Sequence, residues 1–259
     1  MKIKGIEINS PDNNFLIYAC RDNNIKVFNM LINLDFIDLN ICDSFNSTSL
    51  TTAISNDNIN IAELLIKDQR TNVNKNSNNN ESPLSLSISK YQDKIVDLLL
   101  NHDKFDPNES QFDKIFTSSQ IEDQLKILNS KHFDVNHILN CENTNSFDDF
   151  ENVLKYAVNK NDQKLIDSII QHPEFDKTKS CIESIIFETI NEYNKIETFK
   201  KLLNLFTNEV NDYKYQNINL FDYSFGKWNI RSLKEIINHP YFDFKKINIQ
   251  DCFFHVSIE

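Results

Sequence analysis

Apolar residues recur along this chain at fixed intervals. Counting from Ser82 as zero, Leu84, Ser87 and Ile88 stand at offsets 2, 5 and 6, and Ile95, Val96, Leu99 and Leu100 at 13, 14, 17 and 18. A start 34 residues earlier, at Thr48, gives Leu50, Ala53, Ile54, Ile61, Ala62, Leu65 and Ile66. A start at Asn14 gives Leu16, Ala19, Cys20, Val27, Phe28, Leu31 and Ile32, and starts at Asn152 and Asn219 fall into the same register. The first group of offsets predicts a short helix with one apolar stripe, and the second predicts a longer amphipathic helix. A period near 34 residues predicts a stacked array in which each helix pair is buried against its neighbours.

The polar positions repeat too. Offset zero is Asn14, Thr48, Ser82, Asn152 and Asn219, residue types whose side-chain oxygens cap helix N-termini. Offset 5 is always small (Ala19, Ala53, Ser87, Ala157, Ser224), which allows close helix approach. Beyond offset 20 the helical period stops and Asp, Asn and Pro take over, predicting a turn or hairpin leading to the next unit. Phe105, Phe133, Phe175 and Phe242 are placed to seal the base of that turn.

These residues resemble the ankyrin repeat. The T-P-L-H start of that family is similar to Ser82-Pro83-Leu84-Ser85 and to Thr48-Ser49-Leu50-Thr51. Its V-V-x-L-L-L helix is similar to Ile95–Leu100 and Ile61–Ile66, and its A-D-V-N ending to Asp134-Val135-Asn136. The resemblance implies an all-α, ankyrin-like solenoid of helix-turn-helix units with short hairpin or loop connections. The tetratricopeptide array shares the period, but roughly a third of each unit here reads as non-helical, which favours the ankyrin pattern. The chain departs from that pattern in having two glycines, Gly5 and Gly226. The loop position between the helices, where the family uses Gly, holds Asn23, Asp57, Tyr91, Asn161 and Trp228. Asn and Asp tolerate a left-handed backbone moderately well, Tyr and Trp poorly.

Residues 1–13 read as an N-terminal leader and 14–246 as an array of about seven units: about 14–47, 48–81, 82–109, 110–151, 152–183, 184–218 and 219–246. The fourth carries an insertion at 137–151, its apolar register is displaced, and its first helix is expected to be a single turn. Residues 247–259 read as a partial repeat or cap.

A net charge of −11, from 38 acidic and 27 basic residues, argues against a nucleic-acid surface. Five widely spaced cysteines without a C-x-x-C point to a reducing, cytoplasmic setting. No 18-residue apolar run predicts membrane insertion.

The chemistry to be expected is slight. His102, His172 and His239 share offset 20, with His132 near the same place, and are expected to bond the last carbonyls of the preceding helix. No phosphate-binding glycine loop, H-E-x-x-H or G-x-S-x-G occurs. No catalytic residue, cofactor or metal site is expected, and the chain reads as no enzyme. The resemblance instead implies a protein-interaction module or scaffold, monomeric, gripping a protein partner with hairpin tips and the first-helix face. Carried over by offset, that face is Arg21, Asp22, Ser55, Asn56, Ser89, Lys90, Asn159, Lys160 and Lys227, and the tips include Phe45, Asn78, Asn79, Asp148 and Asp149. An enzyme or metal protein on a helical array, and a purely structural segment of a larger assembly, stay open as alternatives.

Overall fold

The computed structural model describes residues 2–3, 6–7, 9–11, 14–77, 81–107, 112–140, 150–180, 182–206, 208–211, 214–215 and 218–247. The chain divides into two compact units, Met1–Phe133 and Asp134–Glu259. In the first, helix pairs follow one another: α1 (Phe15–Arg21) with α2 (Ile25–Ile32), α3 (Ser49–Ser55) with α4 (Ile59–Lys67), α5 (Pro83–Ser89) with α6 (Asp93–Leu100), and α7 (Phe112–Ser118) with α8 (Ile121–Leu128). In the second, α9 (Val153–Asn159) pairs with α10 (Gln163–Ile170), α11 (Ile182–Ile190) with α12 (Ile196–Leu203), and α13 (Leu220–Gly226) with α14 (Ile230–Ile237). Strand structure among the described residues is limited to three antiparallel two-stranded ladders: β1 (Lys2–Ile3) with β2 (Ile6–Glu7), β3 (Ile138–Asn140) with β4 (Phe150–Asn152), and β5 (Lys214–Tyr215) with β6 (Ile218–Asn219). Each unit is thus all-α in its core.

The first helices start where the caps predict. Asn14 Oδ1 accepts the Ile17 N–H at 3.1 Å, Ser82 Oγ the Ser85 N–H at 3.1 Å, Asn152 Oδ1 the Lys155 N–H at 2.7 Å and Asn219 Oδ1 the Asp222 N–H at 2.8 Å. Thr48 and Thr51 cap each other reciprocally, and Pro83 occupies the first turn of α5, where no amide hydrogen is needed.

The helices end on a left-handed residue. Asn23, Asp57, Tyr91, Asn161 and Trp228 have φ of 52° to 58°. The next residue then turns its N–H back to the carbonyl of the small offset-5 residue: Asn24 to Ala19 at 2.9 Å, Asn58 to Ala53 at 2.9 Å, Gln92 to Ser87 at 2.9 Å, Asp162 to Ala157 at 3.0 Å and Asn229 to Ser224 at 3.0 Å. This closing bond satisfies a carbonyl the helix would otherwise leave orphaned. Between α11 and α12 the extra residue is taken up by a 3-10 turn, Tyr193–Lys195, instead.

Two sets of side-chain amides join successive pairs. At offset 10, Asn58 Nδ2 donates to the Cys20 carbonyl at 2.5 Å, Gln92 Nε2 to the Ile54 carbonyl at 2.8 Å and Asn229 Nδ2 to the Ile190 carbonyl at 2.5 Å. In the connecting turns, an Asp or Asn at offset 24 first fixes the residue two positions on: Asp38 Oδ1 accepts the Asn40 N–H and Asn72 Oδ1 the Asn74 N–H, both at 2.9 Å. The amide so positioned then bridges to the following unit. Asn40 donates to the Arg70 carbonyl at 2.8 Å and accepts the Asn72 N–H at 2.6 Å, and Asn136 does the same with Glu174 and Asp176 at 2.9 and 2.8 Å. Asn211 repeats it with Tyr241 and Asp243. Asn9 makes the same pair of bonds to Phe36 and Asp38.

Three expectations are corrected. The first helix of the fourth unit is seven residues long, like its equivalents, because Ile115 and Phe116 supply the buried stripe despite their displaced register. Val27, at a stripe position, is exposed rather than buried, being 39% accessible on the outer side of α2. The offset-20 histidines do not bond the carbonyls of their own helix, which backbone N–H groups already occupy (His102 to Leu99 at 3.1 Å). Instead Nδ1 accepts an N–H two residues on: Lys104 at 3.1 Å for His102, Glu174 at 3.2 Å for His172 and Tyr241 at 3.4 Å for His239.

Candidate functional site: the first-helix ends and inter-helix loops

The α1, α3, α5, α9 and α13 helices each end at the surface in the same short loop, because the left-handed residue turns the chain outward there. In the first unit this edge displays Arg21, Asp22, Ser55, Asn56, Ser89 and Lys90, all exposed. In the second it displays Asn159, Lys160 and Lys227, also exposed. Every described residue expected on this face is therefore accessible. Phe45 stands at a turn whose backbone is held by Asp43 Oδ1, which accepts the Phe45 and Ser47 N–H groups at 3.0 and 2.9 Å. It is 68% exposed rather than packed within its own loop. Asn78, Asn79, Asp148 and Asp149 lie outside the described residues, as do Cys141, Cys181 and Cys252.

The aromatic half of this edge was not among the expected site residues. Tyr18 carries Arg21 over its ring at 5.5 Å, Tyr156 carries Lys160 at 5.7 Å and Tyr223 carries Lys227 at 5.8 Å. The tyrosine is at offset 4 and the cation about one helical turn further on, so each ring draws a charge onto the helix end. That spacing was the available signal. Tyr91 is 83% exposed and Trp228 68% exposed, both on the left-handed loop residue itself. Arg21 also reaches Asp43 at 3.4 Å, tying a helix end to the neighbouring turn.

The opposite side of each unit has a different character. There, second helices are laced by ion pairs between successive repeats: Lys94 with Glu63, Lys126 with Asp93, Lys201 with Asp167 at 2.5 Å and Lys200 with Glu235 at 3.6 Å. A shallow hollow of about 360 Å³ lies between α2 and α4, lined by Phe28, Ile32, Leu64 and Arg70 among others. Its one guanidinium is already committed: Arg70 bonds the Ile32 carbonyl at 2.7 Å, the Leu34 carbonyl at 3.3 Å and the Asp68 carboxylate. That guanidinium holds the Asp68 carboxyl below its usual range.

Among the described residues, no three His, Cys, Asp or Glu side chains stand close enough to share a metal ion, and no helix is long and apolar enough to cross a membrane. Cys20 is fully buried, and burial pushes its thiol up to about 12, so it behaves as a core residue. Burial also lowers the pKa of His102 and His239.

Comparison with known proteins adds the following. Residues 16–111 match the sequence model of the ankyrin repeats, in three copies. No curated protein matches the chain. Among solved structures, a chain in the complex of a predatory endopeptidase from Bdellovibrio bacteriovorus with an immunity protein is similar at 16% identity. The likeness spans 87% of this chain and 98% of that one, with a TM-score of 0.31.

Proposed function

We propose that this chain, which carries ankyrin repeats over residues 16–111, is a non-enzymatic protein-binding module or scaffold. It holds its partner along the ends of the first helices and the loops that follow them. The observation that carries this reading is Tyr91. A tyrosine at φ 55° costs about 1 kcal/mol more than a residue suited to the left-handed region. The fold recovers nothing for it, because the ring is 83% exposed. An exposed aromatic held on a rigid turn beside Lys90 is instead what an interface anchor requires. Arg21, Asp22, Ser55, Asn56 and Ser89 form the polar surround on the first unit, and Asn159, Lys160 and Lys227 the corresponding edge on the second. Phe45 extends the surface to a hairpin tip. Cys20 and Cys42, the cysteines among the described residues, are free thiols, in keeping with a reducing, cytoplasmic setting.

Site-specific photo-crosslinking in the source cell tests this. A photoreactive residue at position 91 should capture one defined protein partner, and the same group at Lys67, on the α4 side, should not. Capture from position 67 alone, or equally from both, would overturn the reading.

A further inference from the structure

We propose, on the footing of the binding role above, that the turn between α13 and α14 holds an acidic protein segment carrying one large apolar residue.

The turn is built as a rigid knuckle. Asn229 is buried between two exposed neighbours, Trp228 at 68% and Ile230 at 75%. Its N–H donates to the Ser224 carbonyl at 3.0 Å and its Nδ2 to the Ile190 carbonyl at 2.5 Å, while its Oδ1 accepts the Ser232 N–H at 3.1 Å. Three bonds hold Asn229 inward, so the residues on either side project outward. Phe225 steadies the Trp228 ring at 6.1 Å. A tryptophan at φ 52° and mostly exposed is strained with little return to the fold, as at Tyr91. Aromatic and aliphatic side chains pre-ordered in this way are what an interface anchor needs.

Charge selects the partner. Ile230, Arg231 and Lys234 lie three and four residues apart on one exposed strip of α14. Among the described residues, neither Arg231 nor Lys234 has an acidic partner: Glu235 reaches Lys200 at 3.6 Å, and Glu192 of the adjoining turn reaches Lys195 at 2.7 Å. Arg231 also stands in the first turn of its helix, where the backbone dipole favours an anion. The first turns of α6, α8 and α12 supply one in Asp93, Glu122 and Glu197, and that of α14 supplies none. A carboxylate from outside answers both the guanidinium and the helix end.

This basic knuckle sits on a chain of net charge −11. The overall charge opposes approach to an extended anionic surface, whether bilayer or nucleic acid. A short acidic segment escapes that opposition, because in physiological salt it feels only charges within roughly 8 Å.

Trp228 is the single tryptophan of the chain, so its emission reports occupancy directly. A random dodecapeptide display library is selected on the full chain, with the double variant R231E/K234E as counter-target. Arg231→Glu suits the first turn of a helix, so the variant keeps its fold. Enriched peptides should hold several Asp or Glu around one large apolar residue and, as synthetic peptides, should blue-shift Trp228. Their affinity should fall about tenfold in the double variant and decline with added salt. No enrichment, peptides without acidic excess, equal binding to the variant or an unmoved Trp228 would each overturn the proposal. So would a Trp228 shift given by vesicles of equimolar phosphatidylserine and phosphatidylcholine and not by the peptides. Capture at position 91 is read independently of all these, so the broader binding role and the acidic class of partner fall separately.

Discussion

Asn74 and Asp106, 32 residues apart in sequence, are joined by a hydrogen bond from the Asp106 N–H to Asn74 Oδ1 at 2.9 Å. The other end of the same amide donates to the Lys104 carbonyl at 2.7 Å. One planar side chain thus pairs with the following repeat as a neighbouring strand would, and does so from a buried position.

Asn74→Ala should therefore leave a backbone donor and a backbone acceptor unsatisfied and cost about 2 kcal/mol. Asn74→Asp keeps the acceptor and loses the donor, and should fall between wild type and Ala. Urea unfolding monitored by circular dichroism gives both values.

Tyr91→Asn should stabilise the first unit by about 0.5–1 kcal/mol, because Asn occupies the left-handed region more readily. The same change should weaken partner capture. A gain in thermal stability coupled to a loss of binding would separate an anchor from a residue kept for folding.

His102 gives a pH dependence of definite sign. Burial is the main cause that lowers its pKa below 6.5, with Asp103 opposing and Lys104 and Lys131 assisting. The unfolded chain then takes up the proton first as pH falls. Stability from this group is full above about 6.5 and is lost as pH drops toward the folded-state value. His239 acts in the same direction in the second unit. His102→Asn keeps an acceptor for the Lys104 N–H without titrating, and should flatten the stability profile of the first unit between pH 7 and 5.

Cys20 should resist thiol reagents in the native chain and react at the rate of unfolding, since its pKa of about 12 leaves essentially no thiolate near neutral pH. Labelling at increasing urea, followed by mass spectrometry of the Cys20 peptide, measures this. Rapid labelling in buffer alone would contradict the packing described for α1.

The sequence made some of this architecture legible and hid the rest. Caps, the small offset-5 residue and the apolar stripes are local or periodic signals, so the helix pairs and their surfaces could be located from Asn14, Ala19 or Leu84 alone. The exposed positions of Arg21, Lys90 and Lys160 followed because helix geometry fixes which offset faces outward. The Asn40, Asn74 and Asn136 bridges were read only as turn signals, since their partners lie 30 to 40 residues away. The histidines were only half legible: Nδ1 accepts an N–H two residues on, and the helix-end carbonyls beside His102 and His239 are those of Ile66 and Leu203 in the preceding repeat rather than of their own helix. The α7 helix was underestimated because a displaced register hides a stripe that packing restores. Beyond residue 111, where the family match ends, the Asn152 and Asn219 caps and the Asn161 and Trp228 turns keep the same geometry, although apolar identities have drifted.

The asparagine bridges reach only peptide groups of the following repeat, never its side chains. A joint made that way is blind to what its neighbour carries. Turn residues around it can be exchanged, lengthened or enriched in a single amino acid without altering the spacing between repeats. Whole units of this protein should accordingly be interchangeable parts, offering a route to new surfaces by transplanting a repeat together with its Asp-x-Asn turn.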